Sequence, residues 1–212
     1  MTRARLRRPH AVLTVAGACF TAIAVFIVLW EAFPADAYIR DSLLNVAGPT
    51  VVAIFRVINV MGDWRGLVPG TLLLFVLFPR ARERWWLWAG LMLSAPLVEW
   101  SLKQVFMRPR PESAAFSFPS GHSTAAAAFF GAVIYLCGSL PPRWRDTVRV
   151  LAGVMIVLVG LARVILRAHW PSDVVAGFAL GLALASVASL LAAREMVPAP
   201  NAKVVAGPPH RT

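Results

Sequence analysis

Apolar runs of about twenty residues recur along this chain, and a run of that length matches the hydrocarbon thickness of a bilayer. Ala11 to Trp30 is one, with no charged residue inside it. Lipid offers no partner for backbone N–H and C=O groups. A run that is apolar on every side therefore satisfies them only by closing on itself as a helix. Composition points the same way. Hydrophobic residues make up 58% of the 212 positions and charged residues 15%, where a soluble domain carries roughly 25% charged. Mean hydropathy is +0.68. The expected fold is all-α: one polytopic membrane bundle without a separate soluble domain.

Six transmembrane helices are expected: Ala11–Trp30, Trp64–Phe78, Trp85–Phe106, His122–Leu140, Val148–Leu166 and Pro171–Ala192. Ser42–Met61 is apolar but broken by Asn45, Pro49, Arg56 and Asn59. It is read as an interfacial helix between the first and second spans. The first run could instead be a signal peptide, with Ala35-Asp36-Ala37 as a weak cleavage site. Its length exceeds the usual apolar region of about 7–15 residues, so a retained helix is expected. The division is then a basic cytoplasmic N-terminus (1–10), a membrane domain (11–192) and a disordered cytoplasmic tail (193–212) rich in Pro, Gly and Ala.

The net charge of +11 raises the question of nucleic acid. Most basic residues, however, sit in short loops between apolar runs, which is the pattern of the positive-inside rule. With six spans, one face collects Arg3, Arg5, Arg7, Arg8, Arg80, Arg82, Arg84, Arg143, Arg145, Arg149, Arg194, Lys203 and Arg211, thirteen of the 21 Lys and Arg. That face is expected to be cytoplasmic, in a plasma or inner membrane, and no nucleic-acid partner is expected. Cys19 and Cys137 fall at different depths and read as small packing residues rather than a disulfide.

Charge near membrane depth is costly and marks function by default. Lys103 to Pro111 ends the third span, Pro119-Ser120-Gly121-His122 opens the fourth, and Arg163, His169 and Asp173 join the fifth to the sixth. All three clusters fall at the extracytoplasmic face. Lys103, Arg110 and Arg163 suit a tetrahedral dianion, and arginine grips one with two donors. Ser120 and Gly121 precede a helix, where unpaired N–H groups and the helix dipole favour an anion. Asp173 lies one turn beyond His169 and can fix its tautomer, which makes His169 the nucleophile and leaves His122 as general acid. A metal held by His122, His169 and Asp173 is disfavoured by the surrounding cations. Glu99, one turn before Lys103, is read as its structural counter-charge.

These residues resemble the type 2 phosphatidic acid phosphatase superfamily. Its first motif is Lys, six residues, Arg-Pro, as in Lys103 through Arg110-Pro111. The second, Pro-Ser-Gly-His, stands unchanged at Pro119–His122. The third is Ser-Arg, five residues, His, three residues, Asp, matched by Arg163, His169 and Asp173, with Ala162 in place of the Ser. The resemblance covers roughly residues 60 to 190. It implies a six-helix core, a phosphohistidine on His169, His122 as acid, a phosphate cradle of Lys103, Arg110, Ser120, Gly121 and Arg163, and no required metal or cofactor. The implied substrate is a lipid phosphate or diphosphate within membrane lipid: undecaprenyl diphosphate, phosphatidic acid or phosphatidylglycerol phosphate. Transfer of the phosphoryl group to another lipid is the alternative. A non-catalytic lipid binder is disfavoured because every proposed catalytic side chain is present. Arg108 and Arg167 add charge beside the site, toward a second phosphate or toward headgroups, and the sequence leaves both open.

Overall fold

The computed structural model describes residues 3–194, so the reading of the C-terminal tail as disordered lies almost wholly outside the described residues. Helix α1 (Arg3–Trp30) is followed by α2 (Ala35–Val46), α3 (Pro49–Asn59), α4 (Trp64–Leu77), the single turn α5 (Pro79–Glu83) and α6 (Trp85–Phe106). A short hairpin of β1 (Pro109–Arg110) and β2 (Ser113–Phe116) leads to α7 (Gly121–Leu136), α8 (Pro142–Ile165) and α9 (Pro171–Arg194).

Four described helices are long and apolar enough to cross a membrane: Arg8–Trp30, Gly121–Ser139, Pro142–Ile165 and Pro171–Ala193. The protein is therefore a multi-pass membrane protein. The six expected spans meet two physical limits. Helix α4 has 14 residues, roughly 21 Å at 1.5 Å per residue, short of the ~30 Å core. Helix α6 has 22 residues, but Trp85, Trp86, Trp88, Trp100, Glu99 and Lys103 reduce its hydropathy.

The interfacial helix expected over Ser42–Met61 is two helices. The chain bends by 115° between Ala35–Val46 and Pro49–Gly62. Proline lacks the N–H needed to continue a helix and pushes the preceding residue into extended backbone. Gly48 accordingly has φ −66° and ψ 171°. The hairpin was also not expected. Met107 leaves α6 in the left-handed region at φ 46°, and Pro109 and Pro111 exclude further helix. Arg110 then pairs with Ser113 and Pro109 with Phe116.

The centre of the bundle is the contact between α7 and α9, and it is built from small residues. A side chain at Gly181 would place its Cβ 2.3 Å from the Thr124 carbonyl oxygen, and one at Gly177 would lie 2.7 Å from that of Ser120. Ala126, Ala127 and Ala128 are fully buried alongside. Without a hydrophobic drive between helices in lipid, close backbone approach and dispersion hold such a pair. Helix α1 packs on α9, where Ala24 and Ile27 meet Phe118 and Ala176. Outward positions stay apolar, as at Val15, Leu93 and Leu97; that suits a lipid surrounding. The α7–α9 contact predicts that Gly181→Ala lowers stability by about 1–3 kcal/mol. Gly17, in α1, has nothing within 4 Å of its would-be Cβ, so Gly17→Ala is neutral or stabilising by up to about 1 kcal/mol. Thermal unfolding of both variants in one detergent tests the contrast.

Candidate active site

The end of α6, the starts of α7 and α9 and the end of α8 converge at one end of the bundle. Backbone bonds fix the convergence. The Ser120 N–H donates to the Asp173 carbonyl at 3.0 Å, and the His169 N–H to that of Arg163 at 3.3 Å. Pro171 at the first position of α9 sets Asp173 in that helix's first turn.

His169 is 1% exposed and Asp173 is fully buried. Nδ1 of His169 faces Oδ2 of Asp173 at 3.6 Å, longer than a formed hydrogen bond, and it has no other partner. Oδ2 accepts instead from the Trp170 N–H at 3.0 Å. Burial pushes the His169 pKa from 6.5 down to about 4; the Arg163 and Lys103 charges add to this and Asp173 opposes it. The imidazole is therefore neutral at pH 7.

The second imidazole, His122, lies on the first turn of α7, within electrostatic range of Arg163, Asp63, His169 and Lys103. Its Nε2 is 3.8 Å from Oδ2 of Asp63. Asp63 also caps α4 by accepting from the Arg65 N–H at 3.2 Å. Arg163 is 8% exposed, donates to Asn59 Oδ1 at 2.7 Å and keeps its Nε unpaired. Arg110 stands within electrostatic range of Arg163 and donates from Nε to the Phe116 carbonyl at 3.3 Å. The structure thus gathers Lys103, Arg110, His122, Arg163 and His169 into one cluster, with Asp173 behind His169.

One of the expected anion ligands, Ser120, has its backbone N–H engaged within the protein. The Ser120 N–H is taken by Asp173 and its hydroxyl accepts from Ser123 at 2.9 Å. Fully buried, Ser120 ties α7 to α9, and its N–H is not free for an anion. The N–H groups of Gly121 and His122 have no acceptor among the described residues, as the first turn of a helix leaves them. Gly121 is tight against Glu99: an added Cβ would meet Oε1 at 2.7 Å. That same carboxylate pairs with Lys103. Glu99 is the expected counter-charge, and it also sits against the helix start where an anion was expected.

Arg108 and Arg167 differ sharply. Arg108 is 6% exposed and donates to Ser172 Oγ at 2.8 Å, Asp173 Oδ1 at 2.6 Å and Asp36 Oδ2 at 2.7 Å. Its guanidinium is thus engaged inside the protein, with Asp36, Ser172 and Asp173. Arg167 is exposed and pairs with Glu112 at 3.2 Å. Asp36, Asn59, Asp63 and Ser172 were not anticipated as members of this network. Asp36 bonds Ser172, 136 positions away, through both its N–H and its hydroxyl, and no local pattern signals such a pairing. The described residues contain no group of three or more His, Cys, Asp or Glu able to hold a metal ion.

A helical membrane bundle with two imidazoles and three cations at one end is the class of molecule this geometry defines. Residues 83–196 match the family model of the PAP2 superfamily, over half of the chain, and the chain belongs to that superfamily. Phosphatidylglycerophosphatase B of Bacillus subtilis (strain 168) is 40% identical over 111 residues, which are 46% of this chain and 55% of that protein. Lipid A 1-phosphatase of Rhizobium johnstonii is 42% identical over 82 residues, 39% of this chain and 30% of that one. The chain thus spans about half or less of the length of these curated relatives. The crystal structure of a transmembrane PAP2-type phosphatidylglycerolphosphate phosphatase from Bacillus subtilis superposes with a TM-score of 0.78 at 27% identity, covering 88% of this chain and 98% of that one.

Two measurements check this site. Arg108→Met strands the Asp36 and Asp173 carboxylates in a buried place and is expected to cost about 3–5 kcal/mol, read as a lower unfolding midpoint in detergent. In an NMR titration the His169 ring should stay neutral until the pH nears 4; a midpoint at 6.5 would contradict the burial described. Because the folded-state pKa is depressed, the unfolded chain takes up the proton first. The associated stability is intact above about 6.5 and is lost as pH falls toward 4.

Proposed function

We propose that this protein is an integral membrane phosphatase that hydrolyses lipid-linked phosphates or diphosphates through a phosphohistidine on His169, without a metal. The observation that carries the reading is a neutral, buried imidazole backed by a carboxylate and sharing one cluster with a second imidazole and three cations. The names of the PAP2 relatives support a lipid phosphate as the substrate class.

Nδ1 of His169 faces Asp173, so Nε2 is the attacking nitrogen. Its lone pair forms the N–P bond as the P–O bond to the lipid breaks. His122 gives its proton to the leaving oxygen. Water then attacks the phosphohistidine: its O–P bond forms as the N–P bond to His169 breaks, His122 takes the water proton, and inorganic phosphate leaves. Asp173 stabilises the imidazolium that attack creates, and the 3.6 Å separation shortens as that charge forms. Lys103, Arg110 and Arg163, with the free N–H groups at Gly121 and His122, hold the equatorial oxygens, where developing charge is greatest. Glu99 gives up its contact with Lys103 when the dianion arrives. The arginine-rich end is cytoplasmic and the histidine end extracytoplasmic, with α4 and α6 completing a six-helix crossing.

His169→Ala should abolish phosphate release from purified lipid phosphates in metal-free detergent, while His122→Ala should slow it by about 10²–10⁴-fold. Vanadate, which adopts five-coordinate geometry, should inhibit the wild type. Substantial turnover by His169→Ala would remove it as nucleophile. Because burial holds the His169 pKa near 4, kcat/KM should not lose activity through this residue on passing below 6.5. An acid limb that begins at 6.5 and disappears in a His169 variant would contradict this.

A further inference from the structure

The end of the bundle remote from the histidines holds a cavity of about 870 Å³, within the range of small-ligand sites. Its rim carries Arg8, Arg80, Arg84, Arg145 and Arg149, against two carboxylates, Glu83 and Asp146. Asp146 is shared, with one oxygen 3.2 Å from both Arg145 and Arg149. Arg84 donates to the Ala192 carbonyl at the end of α9 at 2.7 Å. Arg8 and Arg80 are exposed and have no hydrogen-bond or ion-pair partner among the described residues. Arginines that serve topology alone need only reach the aqueous side; nothing in that role makes them converge on one hollow.

The interior is apolar and deep. Val12 of α1, Ile134 of α7 and Leu182 of α9 line it. Leu182 lies twelve residues before Arg194 on α9, roughly 18 Å along the helix axis. Trp88 lines the same cavity and is 2% exposed, yet its indole N–H is buried with no acceptor. A buried unpaired donor calls for a partner outside the protein atoms. A basic rim, an apolar shaft and one orphan donor are the three parts an amphiphile with an anionic head requires, and basic pockets between transmembrane helices hold such heads.

We propose that this cavity binds an anionic glycerophospholipid from the leaflet opposite the histidine cluster. Its phosphodiester lies at the arginine rim, its acyl chain runs between α1, α7 and α9 toward Leu182, and Trp88 donates to an ester oxygen. The site is separate from the proposed chemistry and does not depend on it.

The test is native mass spectrometry of the full chain released from nanodiscs made of equal parts phosphatidylglycerol and phosphatidylcholine, with thermal unfolding in each lipid alone. The wild type should retain one phosphatidylglycerol in preference to phosphatidylcholine and unfold at a higher temperature in phosphatidylglycerol. Arg8→Gln/Arg80→Gln alters exposed side chains and should weaken retention roughly 5-fold per arginine removed, from ~1 kcal/mol per basic residue. Phosphate release by that variant should be unchanged. Trp88→Phe should also reduce retention, whereas Lys103→Ala, at the other end, should leave it intact. Equal retention of the two lipids, or unchanged retention in Arg8→Gln/Arg80→Gln, would overturn the proposal. Loss of retention in Lys103→Ala alone would assign the lipid to the histidine end and overturn it equally.

Discussion

Arg108 sits between Asp36, Ser172 and Asp173 with almost no solvent contact, and much of the site geometry depends on that arrangement. A guanidinium at this depth is expensive unless every donor is directed at an acceptor. Here its partners come from α2 and the first turn of α9, while Arg108 itself follows α6. One side chain therefore sets α2, α6 and α9 relative to one another. It also engages Oδ1 of Asp173, leaving Oδ2 toward His169 and the Trp170 N–H. The orientation of the carboxylate behind the imidazole thus follows from a pairing that lies outside the cationic cluster.

The second constraint is steric. The close pass of α7 over α9, made possible by Gly177 and Gly181, brings the two helix starts together so that Ser120 can bond the Asp173 carbonyl. A wider separation would pull His122 away from His169 and leave the buried Ser120 N–H unpaired. Small residues in the middle of the bundle and the geometry of the histidine cluster at its end are therefore one arrangement.

Charge in the cluster is balanced piecewise. Lys103 answers Glu99, His122 lies by Asp63, and Arg163 is held by neutral Asn59. Among the described residues, Arg163 retains an unpaired buried Nε and Gly121 and His122 retain free N–H groups. The cluster is cationic in excess and donor-rich. Burial keeps His169 neutral among these cations.

Fold class, most helix positions and the residues of the cluster were legible in the sequence, because apolar run length and the spacing of Lys103, Arg110, Gly121, His122, Arg163, His169 and Asp173 are local properties. Helix α6 falls on Trp85–Phe106, as expected from its flanking signals. The split at Gly48-Pro49 and the hairpin after Met107 depend on prolines that were visible but whose geometric consequence is settled only by what the following chain packs against. The role of Arg108 was not legible at all: its partners Asp36 and Asp173 lie 72 and 65 positions away. A sequence records which groups carry charge; only the packed helices decide which charges neutralise one another and which are left unpaired.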